Sequence, residues 1–136
     1  MNEQICPFSA TLAKDVFGCS RAEQVIRRGG AEFACRDAAA HARCSRLHDC
    51  LKASALPALG LEDDLLQVPH GVLARIQFGG LLGLQRLLTG HSETVVSDID
   101  SLVEAAQVRY TAIEAIPCDS LVDDITGYRL PRRRRR

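Results

Sequence analysis

The stretch Cys35-Arg36-Asp37-Ala38-Ala39-Ala40-His41-Ala42-Arg43-Cys44-Ser45-Arg46-Leu47-His48-Asp49-Cys50 decides how this chain is read. Asp37 precedes three alanines, and the run predicts a helix over residues 38–54. Three cysteines fall on or beside that helix. If it is unbroken, Cys35 and Cys44 lie roughly 13 Å apart along it. Cys44 and Cys50 then leave it about 120° apart, at 100° per residue. One metal cluster using both requires the chain to bend or unwind somewhere in residues 36–49, and the alanine run argues against that.

Upstream, Ser20-Arg21-Ala22-Glu23 places Ser three positions ahead of Glu. That is the pattern of a capping box, and it predicts a helix to about residue 28. Gly29-Gly30 ends it, and residues 31–35 return as a short extended segment. The helix covers roughly 13 Å and the return roughly 16 Å, so Cys19 and Cys35 can meet. Cys6 sits on an arm free to join them. Ser9 predicts a short helix over residues 10–17, stopped by Gly18.

Downstream, residues 56–60 form a break, and residues 62–67 predict one or two turns. Pro69 suits the first turn of a helix over residues 70–88. Gly79, Gly80 and Gly83 kink that helix or admit a close neighbour. Val95, Val96, Ile99, Leu102, Val103, Ala106, Tyr110 and Ile113 recur at three- and four-residue steps, predicting a long amphipathic helix. Asp98, Asp100 and Glu104 fall off that stripe. Pro117 ends it, and residues 121–125 form a last turn.

The chain has 136 residues, one ordinary domain, with no Trp, two Tyr and four Phe. A core of small aliphatics suits packed helices. The N-terminus lacks a basic region followed by an apolar run. The most apolar stretch, residues 72–88, is interrupted by Arg75, Gln77, Gln85 and Arg86 and falls short of the roughly 20 apolar residues a span needs. The expectation is a cytoplasmic protein, where thiols stay reduced and bind metal or react more often than they form disulfides. Charge is segregated. Residues 1–60 carry eight basic and six acidic side chains, a net of +2. Residues 61–128 carry three and eleven, a net of −8, and residues 129–136 carry six Arg.

Five of the six cysteines lie between residues 6 and 50. Their spacing contains no Cys-x2-4-Cys pair, so it is not that of a zinc finger, nor of a compact bacterial ferredoxin. Mostly thiolate donors at long, irregular spacing favour an iron–sulfur cluster, of the 4Fe-4S type, over zinc. Free cysteines also serve as small buried apolar side chains, and Cys118 reads as one of these. The segments Cys44-x5-Cys50-Leu51 and Phe78-Gly79-Gly80-Leu81-Leu82, with the basic tail, are similar to the WhiB-like iron–sulfur regulators. Those proteins bind a four-cysteine cluster and contact the transcription machinery and DNA. The chain has no Cys-x2-Cys, no Trp before Gly79-Gly80 and a longer gap between them, so the resemblance is an analogy and not membership.

His41, Cys44 and His48 share one helical face, either as metal ligands or as a partly solvated side. Asp63-Asp64 and Asp123-Asp124 are adjacent pairs that do not face each other on a helix. There is no hydrolytic constellation, phosphate loop or dinucleotide fingerprint, which argues against an enzyme. Arg132–Arg136 either neutralise nucleic-acid phosphates or lie on the chain's own acidic surface.

The expectation is therefore an all-α fold: a small helical domain over residues 1–128, with an N-terminal Cys-rich metal-binding lobe (about 1–55) and a C-terminal helical hairpin within residues 56–128. A disordered basic tail follows at 129–136. The expected function is electron transfer, or a redox accessory role, through a cluster held by Cys19, Cys35 and Cys44 with Cys6 or Cys50 as the fourth ligand. Zinc is the alternative metal. The alternative functions are a regulatory nucleic-acid or polymerase-binding module and a metal-free adaptor docking through residues 72–88. The expected partner is a redox protein or larger complex, with nucleic acid at Arg132–Arg136 and no membrane.

Overall fold

The computed structural model of the chain describes residues 5–13, 17–27, 30–60, 70–91 and 93–129, with backbone alone at 27, 30, 31 and 70. Its helices are α1 (Ser9–Ala13), α2 (Ala38–Ala58), α3 (His70–Thr89), α4 (Ile99–Tyr110) and α5 (Val122–Thr126). Strands β1 (Ala22–Arg27) and β2 (Gly30–Cys35) pair antiparallel, and two 3-10 turns, Ile113–Ala115 and Cys118–Leu121, connect α4 to α5. The protein is mostly helical, as expected of a small helical domain, and adds one small two-stranded sheet that was expected as a helix and a return. The turns expected at 62–67 and the arginines Arg132–Arg136 lie outside the described residues.

α2 begins as its sequence predicts. The Asp37 carboxylate accepts the N–H groups of Ala39 and Ala40 at 2.9 and 3.2 Å, satisfying donors that have no partner within the helix. The helix is unbroken from Ala38 to Ala58, so nothing bends between Cys44 and Cys50; the chain turns only at Arg36-Asp37, between Cys35 and the helix. It also continues through Pro57 to Ala58, past the expected break, and leaves through Gly60 at φ +81°. Leu47, Leu51 and Ala55, at four-residue steps, are buried with Leu56.

α3 is the central packing element. A Cβ on Gly79 would stand 2.7 Å from Cα of Ile125 in α5, and one on Gly80 would stand 2.6 Å from the Leu51 side chain of α2. The glycines thus admit close neighbours. Gln77, buried on the same helix, accepts the N–H of Ala10 at 3.0 Å and so fixes α1 against α3. Phe78 meets Phe17 edge-on and stacks on Tyr128, closing the core from both termini.

Two helix expectations are corrected. The capping-box pattern at Ser20 opens a strand, because the Ser20 N–H is donated to the Asp98 carboxylate at 2.9 Å and residues 22–27 find partners in β2. Val25 and Ile26, β-branched, suit that pairing. The helix expected from Val95 begins only at Ile99. The Val95 and Val96 carbonyls accept from Gln85 and from the Gly18 N–H instead of from helical neighbours, and Asp98 then caps α4. The helix stops at Tyr110, where Thr111 turns out at φ 74°. Asp100, expected on the solvent side, is buried. No helix among the described residues is long and apolar enough to cross a membrane.

Candidate functional site

Cys6, Cys19, Cys35 and Cys44 line one cavity, together with Pro7, Arg21, Ala22, Ala40, His41, Ile99 and Asp100. Each thiol arrives on a different segment. Cys6 lies between an isolated bridge, Ile5 to Ala34, and α1, with its N–H donated to the Phe33 carbonyl at 2.8 Å. Cys19 lies in a connection clamped to the start of α4: Gly18 donates to the Val96 carbonyl and accepts from Ile99. Glycine is required there, because a Cβ would stand 2.8 Å from the Ser97 carbonyl oxygen. Cys35 is the last residue of β2, opposite Ala22 in the strand pair, with its sulfur 3.3 Å from the Asp37 carbonyl. Cys44 is buried on the second turn of α2.

The expected meeting of Cys19 and Cys35 thus occurs at the open end of a hairpin and not beside a helix. Cys6 joins them with Cys44. Cys50 does not: it lies outside that cavity, half-buried against the core to which Cys118 belongs. His41 lines the cavity, but its Nε2 lies 3.0 Å from the Ile5 carbonyl. His48, on the same helical face, packs edge-on against Phe8 with its Nε2 unpartnered.

The cavity walls are almost wholly apolar. The room it offers to the centre of a water-sized sphere is about 10 Å³, enough for about one water molecule. Burial pushes the Cys6 thiol up to about 12, against a lowering contribution from the Phe8 N–H, with Cys19 and Cys35 adding like-charge repulsion. Burial also raises Cys44, reinforced by Cys6, Cys19 and Cys35. Cys19 is raised by burial too, while the backbone N–H groups of Arg21 and Asp100 donate to its sulfur and oppose that rise. At neutral pH these three thiols keep their protons, and several thiolates here would require a compensating cation.

Asp100, Arg21 and Arg43 border the site and were not among the residues singled out from sequence. Asp100 pairs with Arg21 at 3.3 Å and Arg43 at 3.0 Å, and Arg21 also reaches Asp37 at 3.7 Å. Among the described residues, no three His, Cys, Asp or Glu side chains converge in the arrangement that holds a single metal ion. The four thiols therefore surround a common space without meeting at one point. Comparisons with family models, curated proteins and solved structures find no match to this chain.

Proposed function

We propose that this is a small iron–sulfur protein, acting in electron transfer or as a redox accessory subunit, with Cys6, Cys19, Cys35 and Cys44 as ligands of one cluster of the 4Fe-4S type. One observation carries the reading: four thiols from four separate segments face a single apolar cavity. The segment ending at Cys44 is then a cysteine-rich lobe built against the helical remainder.

Three features support a cluster over a zinc ion. All four donors are thiols. A tetrahedral zinc at about 2.3 Å from each sulfur draws its ligands toward one point, and among the described residues no three His, Cys, Asp or Glu side chains converge in that way. Backbone N–H groups from Phe8, Arg21 and Asp100 donate to the sulfurs of Cys6 and Cys19, an arrangement that stabilises negative charge on sulfur and tunes a cluster's potential. A bound cluster supplies one-electron chemistry. The chain supplies the ligands, the apolar wall of Ala22, Ala40 and Ile99 that limits water, and the arginine-balanced Asp100 beside it.

Purification without oxygen tests this directly. The protein should be brown, contain iron and acid-labile sulfide in similar amounts, and give an electron paramagnetic signal in one oxidation state. Serine at Cys6, Cys19, Cys35 or Cys44 should bleach it, while Cys50→Ser and Cys118→Ser should not. A colourless chain that takes up no iron on reconstitution would overturn the reading, and stoichiometric zinc without iron would transfer the same ligands to zinc.

A further inference from the structure

Arg21 and Asp100, one cation and one anion, both line the four-thiol cavity. They bridge at 3.3 Å, Nε to Oδ2. The Arg21 side chain is 50% exposed and the Asp100 side chain 7%, so the positive charge stands toward solvent and the negative charge inside. Each has a further partner that does not line the cavity. Asp37, the cap of α2, lies 3.7 Å from Arg21, and Arg43 lies 3.0 Å from Asp100. Arg43 immediately precedes Cys44, and its Nε is buried with no hydrogen-bond partner among the described residues. A row of alternating charge, Asp37–Arg21–Asp100–Arg43, thus runs beside the thiols and joins α2, the chain entering β1 and the start of α4. Burying a carboxylate is costly, and an apolar side chain would fill the same place. What the carboxylate adds is a fixed charge in an apolar wall, where water screens it weakly.

We propose that this row sets the reduction potential of the cluster: Arg21 raises it, Asp100 lowers it, and Arg43 acts on it through Asp100. The inference rests on the cluster reading above and names how that site is regulated. The step concerned is the uptake of one electron from a one-electron donor. No bond forms or breaks and no proton moves, so the cluster and its four thiolates gain one unit of negative charge. The Arg21 guanidinium attracts that added charge and favours the reduced form. The Asp100 carboxylate repels it and favours the oxidised form. Arg43 is a positioning residue: it holds the carboxylate in the wall and offsets part of its field. Potential of this kind follows local charge and burial.

The test uses the full chain, purified without oxygen, and reads the midpoint potential of the bound cluster by reductive titration followed by its electron paramagnetic signal. Arg21→Gln is expected to lower the midpoint, and Arg21→Lys, which keeps the charge, to leave it near that of the unaltered chain. Asp100→Asn is expected to raise it. Arg43→Gln should lower it, and much less so in the Asp100→Asn background. A wall merely loosened by substitution would move every variant in one direction, so the opposite signs at Arg21 and Asp100 are the signature. Shifts of the same sign at those two positions, or midpoints equal to that of the unaltered chain, would overturn the proposal. If Arg21→Gln loses its cluster, Arg43→Gln decides: a lowered midpoint supports the row, and an unchanged or raised one overturns it. Zinc or no metal in the unaltered chain would overturn the cluster reading and this inference with it, whereas a cluster indifferent to these charges would overturn this inference alone.

Discussion

The two halves of α2 have the same backbone and different neighbours. The first half, through Cys44, is bordered mainly by short segments: the residues at Ile5 and Cys6, the two six-residue strands and the Cys19 connection, with the start of α4 beside them. The second half presents Leu47, Leu51, Ala55 and Leu56 to α3, α5 and the 3-10 turns, where every one of those side chains is fully buried. Long helices with apolar stripes bury area enough to hold themselves together. Short segments do not, and around the first half the shared feature is a ring of thiols. Cohesion there is expected to come from what the thiols hold, and cohesion around the second half from packing.

The largest expected effect follows from that difference. Binding energy of a group that ties several segments together is folding energy for those segments. If the four thiols hold a cluster as proposed, removing it should therefore strip hydrogen-exchange protection from β1, β2 and the Cys6 amide while α3 keeps its own. Equal protection in both forms would erase the distinction between the halves.

A substitution in the second half should do the reverse. Gly79→Ala forces a Cβ to 2.7 Å from the Ile125 Cα, a backbone atom that cannot rotate away. Overpacking of this kind costs about 3 kcal/mol, to be read as a lowered denaturant midpoint. Metal content should be unchanged. Gly80→Ala meets only the end of the Leu51 side chain and should cost less.

His48 sits where the halves meet, against Phe8. Burial holds its imidazole down to about 4, with Lys52 adding repulsion and Asp49 opposing. The unfolded chain binds the proton near 6.5, before the folded protein does. Stability is therefore complete above about pH 6.5 and falls as pH drops toward 4, by about 3 kcal/mol at most. His48→Leu should flatten that part of the stability–pH curve, since it also removes an unpartnered buried nitrogen. An unchanged slope would mean that His48 takes up its proton equally readily in the folded and the unfolded chain.

The packing half was the more legible in the sequence. The helical periodicity of residues 70–88, with glycines that admit close neighbours, is a local signal that the structure follows, although α2 runs on through Pro57 where a break was expected. The hairpin was hidden because Ser20-x-x-Glu23 satisfies a local helix pattern, while its real partner, Asp98, is 78 positions away. The same holds at Val95 and Val96, whose carbonyls serve distant donors. For the thiols, matched path lengths brought Cys19 and Cys35 together even with the wrong element between them, because a helix and a hairpin arm can return the chain to the same place. Nothing local announces the burial of Asp100 between two arginines.

The smallest expected effect compares one ion pair from each half. Arg43 reaches Asp100 at 3.0 Å and Arg46 reaches Glu114 at 2.9 Å, so distance does not separate them. Burial does. The Asp100 side chain is 7% exposed, while Arg46 and Glu114 are 46% and 64% exposed. Water and salt screen the exposed pair, and holding two long side chains in one geometry offsets most of its attraction. A double-mutant cycle on Arg46 and Glu114 should give a coupling of only about 0.5 kcal/mol, shrinking as salt rises. The same cycle on Arg43 and Asp100 should give about 1–3 kcal/mol and respond less to salt, because losing Arg43 leaves a buried carboxylate supported by Arg21 alone. Equal couplings would mean that the thiol-bordering half of α2 is as solvated as its opposite flank, and would remove the low-dielectric wall on which the cavity's chemistry depends.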